Sequence, residues 1–144
     1  MTIVVLLQIF STFFLGGLSW FVQWVHYPLF HQVGEAEFKQ FHKKHVALTN
    51  GIICALLPME IITTSLTAYY GYPGLTQTEW WLGSLMLILI VLSTFLVQIP
   101  LHKKLSEGKS KTAINSLVLS HTFRTMLWSL RALLLGKLML NRLS

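Results

Sequence analysis

The sequence contains no aspartate and only five acidic residues, and its charged residues amount to 11%. Soluble domains usually carry about 25% charged residues, so an ordinary water-exposed surface is excluded. One cysteine, Cys54, is present. It has no internal partner for a disulfide and reads as a small packing residue in an apolar run. No Lys or Arg precedes the apolar run of "MTIVVLLQIF", and no small-residue cleavage site follows it. A removed signal peptide is therefore not expected. The chain also lacks a Gly-rich phosphate loop, a nucleophile elbow, a Cys-based metal motif and any nucleic-acid signature, which leaves soluble-enzyme chemistry unsupported.

What is present is apolar length. Hydrophobic residues make up 53% of 144 positions, and they fall into four blocks, at about 2–25, 46–69, 80–101 and 117–140, each long enough to cross a bilayer core. The expected fold is all-α: a single membrane domain over residues 1–144, built as an antiparallel bundle of four transmembrane helices. A short amphipathic segment, "GEAEFKQFHKKH", is expected along the membrane surface between the first two helices. "GYPG" predicts a tight turn between the second and third. Pro58 is expected to kink the second helix.

The net charge of +6 is concentrated where topology needs it. Lys39, Lys43, Lys44, Lys103, Lys104, Lys109 and Lys111 occupy the first and third connections. Positive-inside bias puts those connections in the cytoplasm and both termini on the other side, as in a multi-pass protein of the cell inner membrane. Trp20 and Trp24 suit one interface; Trp80, Trp81 and the nearby tyrosines suit the other. The expected partners are the lipid bilayer and a lipid-soluble or anionic small molecule, with no nucleic acid, and with assembly of several copies if the bundle transports.

At about 100° per residue, each block carries a polar stripe. The first has Gln8, Thr12, Ser19, Gln23 and His26; the second has His42, His45, Thr49, Glu60, Thr63, Thr64 and Thr67. The third has Thr94, Gln98 and His102, and the fourth has His121, Arg124, Thr125, Trp128 and Arg131. Stripes on all four helices turn inward together, with Gly16, Gly17, Ser19, Gly83 and Ser84 allowing close approach. Glu60 lies about 22 Å beyond His45, and Arg131 about 15 Å beyond His121, at 1.5 Å per residue. The two charges therefore reach similar depth and are expected to pair, since a buried charge left alone costs several kcal/mol.

The candidate site residues follow from this placement. Glu60, Arg124 and Arg131 are candidate catalytic groups, and Gln98 and Trp128 candidate binding groups. His26, His45, His102 and His121 come from four helices to one end of the bundle and are candidate ligands for a non-haem metal ion, with haem ranked below it. Two guanidiniums against one carboxylate leave a positive charge that suits an anionic or electron-rich guest.

The segments "GGLSWFVQWVHYPLF", "IPLHKKLSEG" and "HTFRTMLWSLR" together resemble the anthrone oxygenase-like family of small four-helix membrane proteins. That resemblance implies oxidation of a polycyclic phenolic substrate with molecular oxygen, and it assigns no residue. The leading expectation is a metal-dependent oxidoreductase acting on a lipid-soluble substrate. A small transporter or channel subunit, with Glu60 shuttling a proton, and a non-catalytic accessory subunit are the alternatives.

Overall fold

The computed structural model describes residues 2–71 and 74–143. Among them the chain is all helical and forms four rods. The first rod is α1 (Thr2–Phe21), a π-helical turn (Val22–His26) and α2 (Tyr27–Gln32). The second is α3 (Glu35–Tyr70). The third is α4 (Gln77–Ser93), a second π-helical turn (Thr94–Gln98) and α5 (Ile99–Glu107), and the fourth is α6 (Lys111–Leu143). Three of these, Thr2–Gln32, Glu35–Tyr70 and Gln77–Glu107, are long and apolar enough to cross a membrane. α6 matches them in length but carries Arg124, Arg131 and Lys137 along its middle and end.

Local chemistry sets the breaks. In both π-helical turns the closing amide bonds five residues back, Tyr27 to the Val22 carbonyl and Ile99 to the Thr94 carbonyl. Pro28 and Pro100 follow directly, in the first turn of the next α-helix, where a missing N–H and a fixed φ are tolerated. α3 ends at Gly71, whose φ of 68° lies in the left-handed region that favours glycine. α4 opens on a capping box: Glu79 N–H donates to Thr76 Oγ1 (3.3 Å), and Thr76 N–H donates to Glu79 Oε2 (2.8 Å). Tyr72 and Pro73 of the expected turn lie outside the described residues.

Several expectations are corrected here. "GEAEFKQFHKKH" is not a separate surface segment. It is the first third of α3, which runs 36 residues, or about 54 Å at 1.5 Å per residue. Phe38 fixes this, because it is fully buried against Phe30, Leu105 and Ile114 and draws the helix onto the bundle. Trp80 sits in the core with Val5, Leu135 and Leu138. Cys54 is exposed on the outer face. Of the glycines, Gly16 lies against Trp128 and Gly83 against Leu134 and Arg131, whereas Gly17 meets nothing.

The rods pack in a ring, each beside the next, with the first against the fourth. Consecutive rods run antiparallel. Gln8, early in α1, meets Thr64 and Thr67 late in α3, while His26 meets His45 near its start. Viewed along the axis, the interior is layered. An apolar layer (Tyr27, Phe30, Phe38, Leu105, Ile114, Leu117) closes the Lys-rich end. A second (Leu15, Leu87, Ile90, Leu127, Trp128) crosses the middle, and a third (Val5, Trp80, Leu135, Leu138) closes the far end.

Polar layers lie between them. The far one is built on Glu60 and Arg131, 0% and 2% exposed, which form a salt bridge through Oε1 and Nη2. Thr12 donates to Glu60 Oε1 (2.6 Å) and Ser11 donates to Glu60 Oε2. Arg131 also donates to the Gly83 carbonyl and to Thr64 Oγ1 (3.0 Å). Around the pair, Gln8 donates to Thr64 and accepts from Thr67 (3.1 and 3.0 Å). All four rods enter this one network.

A side chain at Gly83 would meet Leu134 at 3.2 Å and push on the Arg131 guanidinium. Gly83→Val is therefore expected to cost about 1–3 kcal/mol by overpacking, while Gly17→Val changes stability little. Thermal unfolding of the two variants in detergent micelles, followed by circular dichroism, checks the contrast.

Candidate functional site

The second polar layer lies between the first and middle apolar layers, and it is hollow. A cavity of about 120 Å³ is lined by Tyr27, His45, Thr49, Asn50, Gln98, His102, His121, Arg124 and Trp128, with Leu15, Ile53 and Leu57 among its apolar walls. Every rod contributes. The two π-helical turns flank it on diagonally opposed rods and supply Val22 on one side and Thr94 and Gln98 on the other. Such turns rotate the register locally and often sit beside functional sites.

The side chains around the cavity are tied from behind. His121 Nδ1 faces Gln23 Oε1 (3.0 Å), and Gln23 Nε2 donates to Thr122 Oγ1 (2.9 Å). His102 Nδ1 faces His42 Nε2 (3.0 Å), and His42 Nδ1 faces Ser106 Oγ (3.4 Å). His45 Nδ1 faces His26 Nε2 (2.7 Å), with the two rings stacked at 4.5 Å. Gln98 Nε2 donates to Ser120 Oγ (2.7 Å), and its Oε1 is buried with no partner. In His45, His102 and His121, the three imidazoles that line the cavity, the Nε2 atom makes no hydrogen bond to any described residue.

Arg124 differs sharply from Arg131. Among the described residues it makes no salt bridge and no hydrogen bond, and its Nε is fully buried. The buried Tyr27 phenol interacts with it electrostatically and also lacks a described hydrogen-bond partner. A guanidinium carries five donors, so the cavity holds a cation whose hydrogen bonds are unmade.

The structure brings most of the sequence-predicted residues together. Arg124, Gln98, Trp128, His45, His102 and His121 all line the one cavity. Glu60 and Arg131 pair with each other in the other polar layer and do not line it. His26 stands behind His45, outside the lining. Among the described residues no group of three or more His, Cys, Asp or Glu is placed to hold a metal ion. Four of the imidazoles are instead arranged as two hydrogen-bonded pairs, His26 with His45 and His42 with His102. Two participants escaped the sequence reading. Tyr27 carries no polar-stripe signal because its ring is mostly apolar. His42 was grouped with the stripe, but its link to His102 joins two different rods.

The contrast between the arginines generates a test. Arg131→Met leaves Glu60 buried and unpaired and is expected to destabilise by about 3–5 kcal/mol. Arg124→Met removes a charge that has no partner and is expected to leave the unfolding temperature unchanged or raise it. Parallel melts of both variants check this. Comparison with protein-family models, with curated proteins and with solved structures found no match to this chain.

Proposed function

We propose that the chain is an integral membrane protein of four spans, with its Lys-rich connections in the cytoplasm and both termini across the membrane. Its cavity binds a lipid-soluble small molecule through an acidic or phenolic oxygen held by Arg124. The outer surface supports the membrane reading. Large apolar side chains face outward on all four rods, the fourth included, with Leu119 75% and Leu133 71% exposed. Arg124 and Arg131 of α6 are turned into the bundle, and the exposed Lys137, near the end of the helix, pairs with Glu79, so the modest overall apolarity of α6 does not bar it from lipid.

The unpartnered Arg124 at a cavity wall carries the ligand reading. A volume near 120 Å³ is just under the roughly 150 Å³ cavity that accepts a benzene ring, so it holds a head group while an apolar tail stays in the bilayer. Charge-assisted hydrogen bonds from a guanidinium in a low-dielectric site favour an oxygen that bears or develops negative charge. The imidazoles of His45, His102 and His121 are acid–base groups at the same wall. Oxidation of the bound molecule is the activity implied by the family resemblance, and these groups would manage its protons. A metal ion is no part of this reading, because His45 and His102 pair with other imidazoles and His121 is tied to Gln23.

Glu60 speaks against the transporter alternative. Both of its oxygens are bonded and it is fully buried, so it serves as a lock and not as a carrier of protons.

Titration of the protein in lipid nanodiscs with a 4-alkylphenol and with a fatty carboxylate, followed by tryptophan fluorescence, tests the site, since Trp128 lines it. At least one probe is expected to bind. Arg124→Gln is expected to weaken that binding about tenfold or more, since hydrogen bonds to charged groups contribute about 1.5–3 kcal/mol. Binding of neither probe, or equal affinity in the variant, would contradict the proposal.

A further inference from the structure

Behind His121 and His102 the hydrogen-bond network has only one consistent direction, and it decides what these two imidazoles offer. On the α6 side, the Thr122 hydroxyl donates to the Val118 carbonyl (3.0 Å), so toward Gln23 it can only accept. The Gln23 amide nitrogen must then face Thr122, which turns Oε1 toward His121. An amide oxygen only accepts. His121 therefore carries its proton on Nδ1. Thr125 agrees, because its hydroxyl donates to the His121 carbonyl (3.0 Å) and accepts from the same Nδ1 (3.3 Å). Nε2 of His121 is left as a bare lone pair.

The α5 side repeats the logic through one more link. The Ser106 hydroxyl donates to the His102 carbonyl (2.9 Å), so it accepts from His42 Nδ1 (3.4 Å). A neutral His42 protonated at Nδ1 has a bare Nε2, which must accept from His102 Nδ1 (3.0 Å). His102 is thus also protonated at Nδ1 and bare at Nε2. Gln98 adds a third acceptor. Ser120 gives its hydrogen to the Ser116 carbonyl (2.8 Å) and accepts from Gln98 Nε2 (2.7 Å), which leaves Oε1 unmatched.

We infer that Gln23 and His42 are positioning residues, which lock His121 and His102 as Nδ1–H tautomers so that both rings keep Nε2 as an acceptor at the cavity. At the cavity wall the bare Nε2 atoms of His121 and His102 and the unmatched Gln98 Oε1 are then acceptors, beside the donors Arg124 and the Tyr27 hydroxyl. A guest that both donates a hydrogen and offers an oxygen to the guanidinium matches this wall. The identity of a histidine ligand or base is commonly set in this way by what holds its other nitrogen.

The inference builds on the cavity being a ligand site, but its test needs no ligand. Nitrogen-15 spectra of histidine-labelled protein in micelles, recorded at mildly alkaline pH, distinguish protonated from bare ring nitrogens. The expected result is Nδ1 protonated and Nε2 bare for both His121 and His102. In Gln23→Leu, the His121 signals should move to mixed tautomers while those of His102 stay fixed. Gln23→Glu keeps an acceptor at Nδ1 and should restore the wild-type pattern. His42→Phe should release His102 alone. A proton found on Nε2 of either ring in the wild type overturns the inference, as does a His121 signal indifferent to Gln23→Leu. Should a variant fail to fold, the wild-type spectrum alone still decides. Loss of probe binding with these tautomers intact would reject the ligand site and leave the tautomer assignment standing.

Discussion

A carboxylate and a guanidinium enclosed together between apolar layers constrain everything else in this molecule. Taking two ions from water costs several kcal/mol each even after relaxation, and only close pairing with further hydrogen bonds offsets it. Glu60 and Arg131 meet that requirement by recruiting every rod: Ser11 and Thr12 from α1, Thr64 from α3, and the Gly83 carbonyl from α4. The pair thereby fixes which faces turn inward, how close α4 and α6 approach, and the axial register of all four helices. Buried between apolar layers, the pair has no water to relieve an error in any of these.

The second arginine shows what the first leaves free. Arg124 precedes Arg131 by two helical turns on the same face, about 10 Å at 1.5 Å per residue, yet no carboxylate opposes it. One arginine is spent on architecture and the other faces an open space walled by imidazoles. An apolar layer containing Leu15, Leu127 and Trp128 separates the two. The ion-pair network and the cavity are thus insulated from each other, and substitutions at the cavity need not disturb the lock.

Much of this was legible from residue spacing. The helical stripes named the interior residues because lipid leaves a buried charge only one direction to face, and counting residues along two helices brought Glu60 and Arg131 to one depth. The convergence of His45, His102, His121, Arg124, Gln98 and Trp128 followed from the up-and-down order of the helices. What spacing could not supply was which neighbour each side chain meets. Ser11 looked like one more small hydroxyl, Trp80 and Cys54 were assigned from composition, and Gly17 was grouped with Gly16 though only Gly16 faces Trp128. π-helical turns stand just before Pro28 and Pro100, and His26, the last residue of the first, backs His45 and does not line the cavity. The stretch before His42 has both charges and phenylalanines, and only the buried pocket for Phe38 decides that it continues α3.

The most direct test of the lock is a charge exchange. Glu60→Arg and Arg131→Glu are each expected to prevent assembly of a stable, monodisperse protein in mild detergent. Combined in one chain, they should recover folded protein with a melting transition, because the pair is regenerated with its ends reversed. If the double variant is no better than the worse single one, the charges do not depend on each other, and the bundle is held together by something else.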